Sequence, residues 1–324
     1  MQQPVFSKVA DFARDQIVTG FYLVKNFTLK TSPKNNRQYG DYQLADQTGE
    51  INAKLWEIAD ASACPDVGSF IKVQGLVTEY QGKLQLRIDR MRLIAENDPV
   101  DMREMVPSAP EDGKSMTAEL MGYVKSLQDP EIRSLVEAYI QEVETQLPYY
   151  PAALRNHHSV RSGLLYHTLS MLRMADGVLA VYPFLRRDIL IAGVIIHDLA
   201  KVEEMDARNT GIATQYTREG VLLGHITQGI VQVDRIGQRL NTNPEIVTML
   251  EHMILAHHYE PEFGSPKRPM FPEAEVLHYL DVLDARMYDF QKIEEGLNPG
   301  EFSDAVWLLH NRKLYKSHWG NEEK

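Results

Sequence analysis

Thiol chemistry is nearly missing from this sequence: Cys64 is the only cysteine among 324 residues. One thiol makes neither an internal disulfide nor a multi-cysteine zinc site. No apolar run reaches the ~18 residues that a membrane-spanning helix needs, so no membrane partner is expected. The opening segment MQQPVFSKVADFARDQ has no basic stretch followed by an apolar one and does not read as a secretion signal. A cytoplasmic location is the resulting expectation. Histidine is missing from the entire N-terminal part, since all 11 lie at or after His157. The excess of positive charge that usually marks a nucleic-acid binder is missing too, with a net charge of −11. That charge is uneven. Residues 1–95 hold 12 Lys/Arg against 10 Asp/Glu, whereas the remainder holds 22 against 35. An acidic, histidine-rich region suits a cation, and a near-neutral region with basic strands tolerates a polyanion.

The length predicts about two domains. From Ile17 to about Ala95 apolar and β-branched residues alternate in five runs separated by turn chemistry, among them DQTGE and QGK as short hairpin links. Five strands in so short a span predict a small Greek-key barrel. The third-to-fourth connection, ADASACPDVGS, has room for a helical turn. Residues 96–113 carry three prolines and little periodicity and read as a linker. From residue 114 to 324 the pattern is helical. Helices are expected over Lys114–Leu127, Pro130–Gln146, Gly163–Val181, Arg186–Glu204, around Leu222–Leu240, Pro244–His258 and Glu273–Glu295. The final NRKLYKSHWGNEEK reads as a mobile tail.

The segment DILIAGVIIHDLAK, residues 188–201, is apolar nearly all round and should be central. His197 and Asp198 nevertheless sit inside it. A buried carboxylate needs a strong partner. A metal ion would satisfy both side chains, and Lys201, three residues beyond Asp198, would face a substrate phosphate. For the dipeptide alone, a plain His–Asp hydrogen bond or an Asp198–Lys201 ion pair is the favoured reading. Five further groups stand in apolar surroundings on four separate helices: His167 in GLLYHTLSML, His225 in LLGHITQG, His257 and His258 in MILAHHYE, and Asp281 in VLHYLDVLDAR. Each alone reads as a satisfied core residue, but together they point to a cation. Nitrogen and oxygen donors without thiolate admit Mn²⁺, Co²⁺, Fe²⁺, Mg²⁺ or Zn²⁺, and their chemistry alone does not choose among them, although Mn²⁺ is the ion expected first.

The order His167, His197-Asp198, His225, His257-His258, Asp281 resembles the HD-domain metal phosphohydrolases. With the barrel ahead of it, and with NHHSVRSGLLYHTLSML, HDLAK, AHHYEPEFGSPKRP and LHYLDVLDARM as they stand here, the chain resembles the YhaM-type 3′-5′ exoribonucleases. That resemblance implies a multidomain α and β protein, an OB-type barrel followed by an all-helical HD domain. It implies two divalent ions bridged by Asp198, one held also by His167, His197 and Asp281 and the other by His225, His257 and His258. Lys201 and Asp198 would be the catalytic pair. Single-stranded RNA, with single-stranded DNA as a further substrate, would be shortened from the 3′ end to nucleoside 5′-monophosphates. A homo-oligomer is implied as well. The alternative is an HD-type nucleotide phosphohydrolase or cyclic-nucleotide phosphodiesterase with a regulatory OB domain. The chain reads GSP at 264–266, where cyclic-dinucleotide enzymes carry GYP.

Substrate contacts are expected from His157, His158, Arg161 and Ser265 around the ions. Asp284 and Arg286, three and five residues beyond Asp281, read either as supports behind the ion ligands or as a structural ion pair, and the structural reading is favoured. On the barrel, single-strand binding calls for cations beside aromatic platforms. Phe21, Tyr22, Phe27, Lys30, Lys34, Arg37, Tyr39, Tyr42, Lys54 and Trp56 supply both. Strand periodicity leaves the buried face open, and a bulge near Lys25 would bring Phe27 to the side of Tyr22. The expectation taken forward is Tyr22, Phe27 and Tyr42 on the surface with Lys30 and Arg37, and Phe21 and Leu23 in the core.

Overall fold

A computed structural model describes residues 6–32, 36–56, 58, 64–95, 98–100, 105–154, 157–207 and 211–319. The chain divides into two compact units, Met1–Ser108 and Ala109–Lys324. The proposed helical turn between the third and fourth strands falls largely on residues outside this set. So does Lys34.

The first unit is a closed barrel of β1 (Ile17–Thr31), β2 (Gln38–Asp46), β3 (Gly49–Leu55), β4 (Phe70–Tyr80) and β5 (Lys83–Leu93). Its order is β1-β2-β3-β5-β4, closed by β1 against β4, and β3 and β5 run parallel. This is the five-stranded OB arrangement. The expected bulge is present: the β1–β2 register slips between Val24 and Asn26, which sets Phe27 opposite Tyr42. The face expectation, however, is overturned. Tyr22 and Tyr42 are fully buried in the barrel core, not on its surface. Phe27 is half-buried and stacks on Tyr42 at 4.6 Å. Leu23 is only half-buried, whereas Phe21 is buried as expected, against Phe6 with ring centroids 4.5 Å apart.

Glycine explains how tyrosines fit inside. Gly20 and Gly40 lie two residues before Tyr22 and Tyr42, on the same strand face. A Cβ on Gly20 would stand 2.1 Å from the Tyr22 hydroxyl, and one on Gly40 2.5 Å from the Tyr42 ring. Each ring fills the space that its own glycine leaves open. The Tyr22 hydroxyl donates to Ser7 O at 2.7 Å, so its burial strands no polar group.

The second unit is helical: α1 (Gly113–Lys125), α2 (Pro130–Val143), α3 (Gly163–Val181), α4 (Arg187–Ile196), α5 (Lys201–Glu204), α6 (Arg218–Leu240), α7 (Pro244–Ala256) and α8 (Pro272–Glu295). A small ribbon, β6 (Met205–Asp206) with β7 (Gln215–Tyr216), precedes α6. Asp129 and Asn243 cap α2 and α7 with proline next in line, the order that helix starts favour. Helix α4 is the centre of the core, with Ile189 through Ile196 all buried.

The long helix expected over Arg186–Glu204 is interrupted. After Ile196 the bonds tighten to a three-residue step: Leu199 N to Ile196 O, Lys201 N to Asp198 O, Val202 N to Leu199 O. Residues at that spacing stack above one another. The described residues near the C-terminus are hydrogen-bonded to the preceding segment. Ser303 N donates to Leu314 O, and Val306 N to Arg312 O, so the segment folds back as a hairpin. Among the described residues, no helix is long and apolar enough to cross a membrane.

Candidate metal centre

Asp198 lies in the tight turn after α4, 2% exposed, and both its oxygens face imidazoles. On the Oδ2 side stand His197 Nε2 at 3.3 Å and His167 Nε2 at 3.8 Å. His167 Nε2 is also 3.3 Å from Asp281 Oδ1. On the Oδ1 side stand His225 Nε2 at 3.4 Å and His257 Nε2 at 3.8 Å. His258 completes a group with His225 and His257 whose ligand atoms lie within 4.8 Å of one another. All seven residues expected around the ions therefore converge.

The tautomers are fixed from behind. His197 Nδ1 and His257 Nδ1 donate to Val194 O and Ile254 O at 2.8 and 2.7 Å. His225 Nδ1 faces Glu204 Oε1 at 2.9 Å, and His167 Nδ1 faces Asp284 Oδ2 at 2.6 Å. With Nδ1 occupied, each Nε2 is left to aim inward. His197 Nε2, His225 Nε2, His257 Nε2 and Asp198 Oδ1 have no hydrogen-bond partner although buried. Buried polar atoms are nearly always paired, so a convergent set without partners calls for a cation. Donors about 2.1 Å from a shared ion stand roughly 3.0–3.5 Å apart, which these spacings approach. The nitrogen and oxygen donors thus fit a divalent ion.

Electrostatics agree. Burial alone would raise the Asp198 pKa, but Lys201, His197 and His225 outweigh it and hold the carboxyl well below the usual range. Burial lowers the His257 and His258 pKa values and keeps them as neutral donors. Burial also opposes protonation of His167, yet Asp281 and Asp284 overcome it and raise His167 to about 10. A cation at its Nε2 would displace that proton. Lys201 Nζ lies 2.6 Å from Asp198 Oδ2, the ion pair that three-residue stacking favours.

The expected substrate contacts separate. His157 is half-buried near His167, and burial, then Lys201 and His167, depress its pKa to about 4. Arg161 is half-buried with its guanidinium 5.2 Å from the Tyr149 ring. His158 does not face an open site. It is 1% exposed and bonds Asp284 at 2.7 Å, behind His167. Ser265 is likewise fully buried, its Oγ accepting from His258 N at 3.1 Å. Both support the centre from within.

Two contributors were not anticipated. Glu204 follows Asp198 and Lys201 at intervals of three, a spacing that only the tightened turn makes meaningful. Gly224, with φ 69°, breaks α6 so that a new helical start falls at His225, whose N–H donates to Glu204 Oε1 at 3.0 Å. Asp284 is not merely structural: its Oδ2 receives both His158 and His167.

On the barrel, Asp41 gathers Lys30 at 2.5 Å, Lys54 at 2.6 Å and Asn52 at 2.7 Å. Arg37 is exposed on the β1–β2 connection. Tyr39 and Trp56 lie 4.8 Å apart, with Lys54 over the Tyr39 ring and Trp56 47% exposed. These aromatics, rather than Tyr22 and Tyr42, are available to a ligand. A groove of about 680 Å³ runs beside Gln43, Asn52, Gln85, Tyr80 and Leu84.

Residues 164–286 match the HD domain family, and residues 23–94 match the OB-fold nucleic acid binding domain family. The 3′-5′ exoribonuclease YhaM of Geobacillus sp. (strain WCH70) is 39% identical over 297 residues, covering 91% of this chain and 90% of the relative. That of Bacillus subtilis (strain 168) is 38% identical over 303 residues, covering 92% and 94%. Among solved structures, the second OB-fold domain of replication protein A from Methanococcus maripaludis aligns with 29% of this chain and 98% of its own. The identity is 19% and the TM-score 0.24.

Proposed function

The chain belongs to the YhaM 3′-5′ exoribonuclease family, and from that premise we propose that it removes nucleotides from the 3′ end of single-stranded RNA by two-ion phosphodiester hydrolysis. The observation that carries this reading is Asp198, whose two oxygens face two separate histidine groups. His167, His197 and Asp281 would hold one ion, and His225, His257 and His258 the other, with Asp198 shared. Mn²⁺ is the first candidate. Two such ions, when bound, neutralise charge on the phosphoryl group and ease ionisation of water.

The remaining roles belong to the chain itself. Lys201, paired with Asp198, would carry a positive charge to the non-bridging phosphate oxygens. His157, neutral at physiological pH, would hydrogen-bond the terminal nucleotide. Water adds to phosphorus and the 3′-oxygen of the preceding nucleotide departs. One nucleoside 5′-monophosphate leaves, and the shortened strand keeps a free 3′-hydroxyl. Tyr39 and Trp56 stack bases while Lys30, Arg37 and Lys54 lie near the strand path, a combination that tolerates single-stranded DNA as well. The same reading includes a cytoplasmic site of action, which suits the lone thiol. It also includes self-association, supported by the exposed apolar stripe Tyr279, Leu283 and Met287 on α8.

The test is a time course on 5′-labelled single-stranded RNA with Mn²⁺, beside EDTA and Asp198→Ala controls. A ladder shrinking from the 3′ end is expected, with activity down by about three orders of magnitude or more in the variant. Intact RNA in every lane, with turnover of small nucleotides instead, would favour a nucleotide phosphohydrolase.

A further inference from the structure

His197 and His257 have their tautomers set by carbonyls three residues back in the chain. Those bonds come with the local backbone and need no side chain. His167 and His225 differ. Each depends on one carboxylate from elsewhere: Asp284, 117 residues away, for His167, and Glu204, 21 residues away, for His225. The two carboxylates serve opposite sides of Asp198, because His167 faces Oδ2 and His225 faces Oδ1.

We propose that Asp284 and Glu204 are positioning residues, one for each side of Asp198, and that each governs ion binding on its own side alone. The inference rests on the two-ion reading above. Asp284 is braced for the task. It is 8% exposed, and the same Oδ2 takes His158 at 2.7 Å, whose ring packs on Tyr288 at 4.0 Å. Glu204 is braced differently. Its Oε1 accepts from both the backbone N–H and the ring Nδ1 of His225, so backbone and imidazole are fixed together. Gly224 makes this possible, since the break before His225 frees that N–H from the helix ladder. A histidine without its carboxylate can rotate or shift its proton to Nε2, and then presents no lone pair to an ion.

The test is calorimetric titration of the full-length chain with Mn²⁺, with bound metal counted at the same concentrations. Asp284→Ala and Glu204→Ala should each weaken one binding step by about 10- to 100-fold and leave the other nearly unchanged. At an intermediate Mn²⁺ concentration each single variant then holds one ion per chain where the wild type holds two, and the double variant holds none. Asp284→Asn and Glu204→Gln keep an oxygen acceptor, so they should show the same loss in smaller measure. They also serve if an alanine variant fails to fold. Two ions in the wild type with both steps intact in the variants overturns the proposal alone, as does a variant that weakens both steps equally. A single ion in the wild type overturns the two-ion reading, and the proposal with it.

Discussion

The barrel and the helical unit both bury polar side chains, but they leave them in different states. In the barrel, the Tyr22 hydroxyl reaches Ser7 O, the Asp41 carboxylate is matched by Lys30, Lys54 and Asn52, and among the described residues only the Tyr42 hydroxyl is left buried without a partner. In the helical unit, three imidazole nitrogens and a carboxylate oxygen converge with no partner at all. A satisfied buried group fixes shape. A lone unpartnered hydroxyl such as that of Tyr42 is an isolated cost, whereas several unpartnered donors converging on one point call for a cation.

That contrast can be broken at the barrel. The largest effect expected there is on substrate affinity. Trp56→Ala or Tyr39→Ala removes a stacking platform worth ~1–3 kcal/mol per base, so KM for RNA should rise by roughly 5- to 100-fold. With the centre untouched, kcat should hold within about twofold. Steady-state kinetics on single-stranded RNA decide it, and a fall in kcat at constant KM would mean that these rings serve the chemistry instead.

Stability sharpens the same comparison at a smaller scale. Gly40→Ala places a methyl group 2.5 Å from the Tyr42 ring. Overpacking of this kind typically costs ~1–3 kcal/mol. Because the two units have separate hydrophobic cores, calorimetry should show a lower barrel transition while the Mn²⁺ stoichiometry stays as in the wild type. Loss of metal from this variant would show that the units are not independent.

The smallest effect concerns pH. Burial would raise the Asp41 pKa, but Lys30, Lys54 and Asn52 bring it from 3.8 to about 2. A carboxylate with a depressed folded-state pKa contributes stability that is present above its unfolded pKa and is lost as pH falls through the folded one. The Tm should therefore drop between pH 3.8 and 2, less steeply in Asp41→Asn than in the wild type. Equal slopes would mean that these surface ion pairs contribute nothing measurable.

Much of this was legible in the sequence, for identifiable reasons. Helix α3 runs over Gly163–Val181 as expected, because its apolar pattern is long and unbroken. The residues around Asp198 stood out because each interrupts such a pattern. The break after Ile196 was not legible: Leu199 and Ala200 continue the apolar run, and no glycine or proline marks the tightening. Period-two alternation could not tell inside from outside for Tyr22 and Tyr42, because neither face of β1 is cleanly apolar. The signal that would have decided it is the repeated glycine two positions ahead, Gly20 and Gly40. Glu204 looked like an ordinary helix acid, and for Asp284 the structural ion pair was favoured over a support role, since the partners of both lie across the fold. Ser265 and His158 looked like ligand contacts because polar residues beside a site are indistinguishable from its supports until burial is known.

The groups around Asp198 are spread from His167 on α3 to Asp281 on α8. On the ribosome that spread becomes an order of events. The last barrel strand ends at Leu93, so every strand of that unit has been synthesised long before Asp281 is added. Domains generally fold as units while the chain grows, N-terminal first. Translation thus passes through a stage with a barrel and no complete centre, and it ends that stage only when α8 docks. From that moment a cation can select the finished fold by mass action.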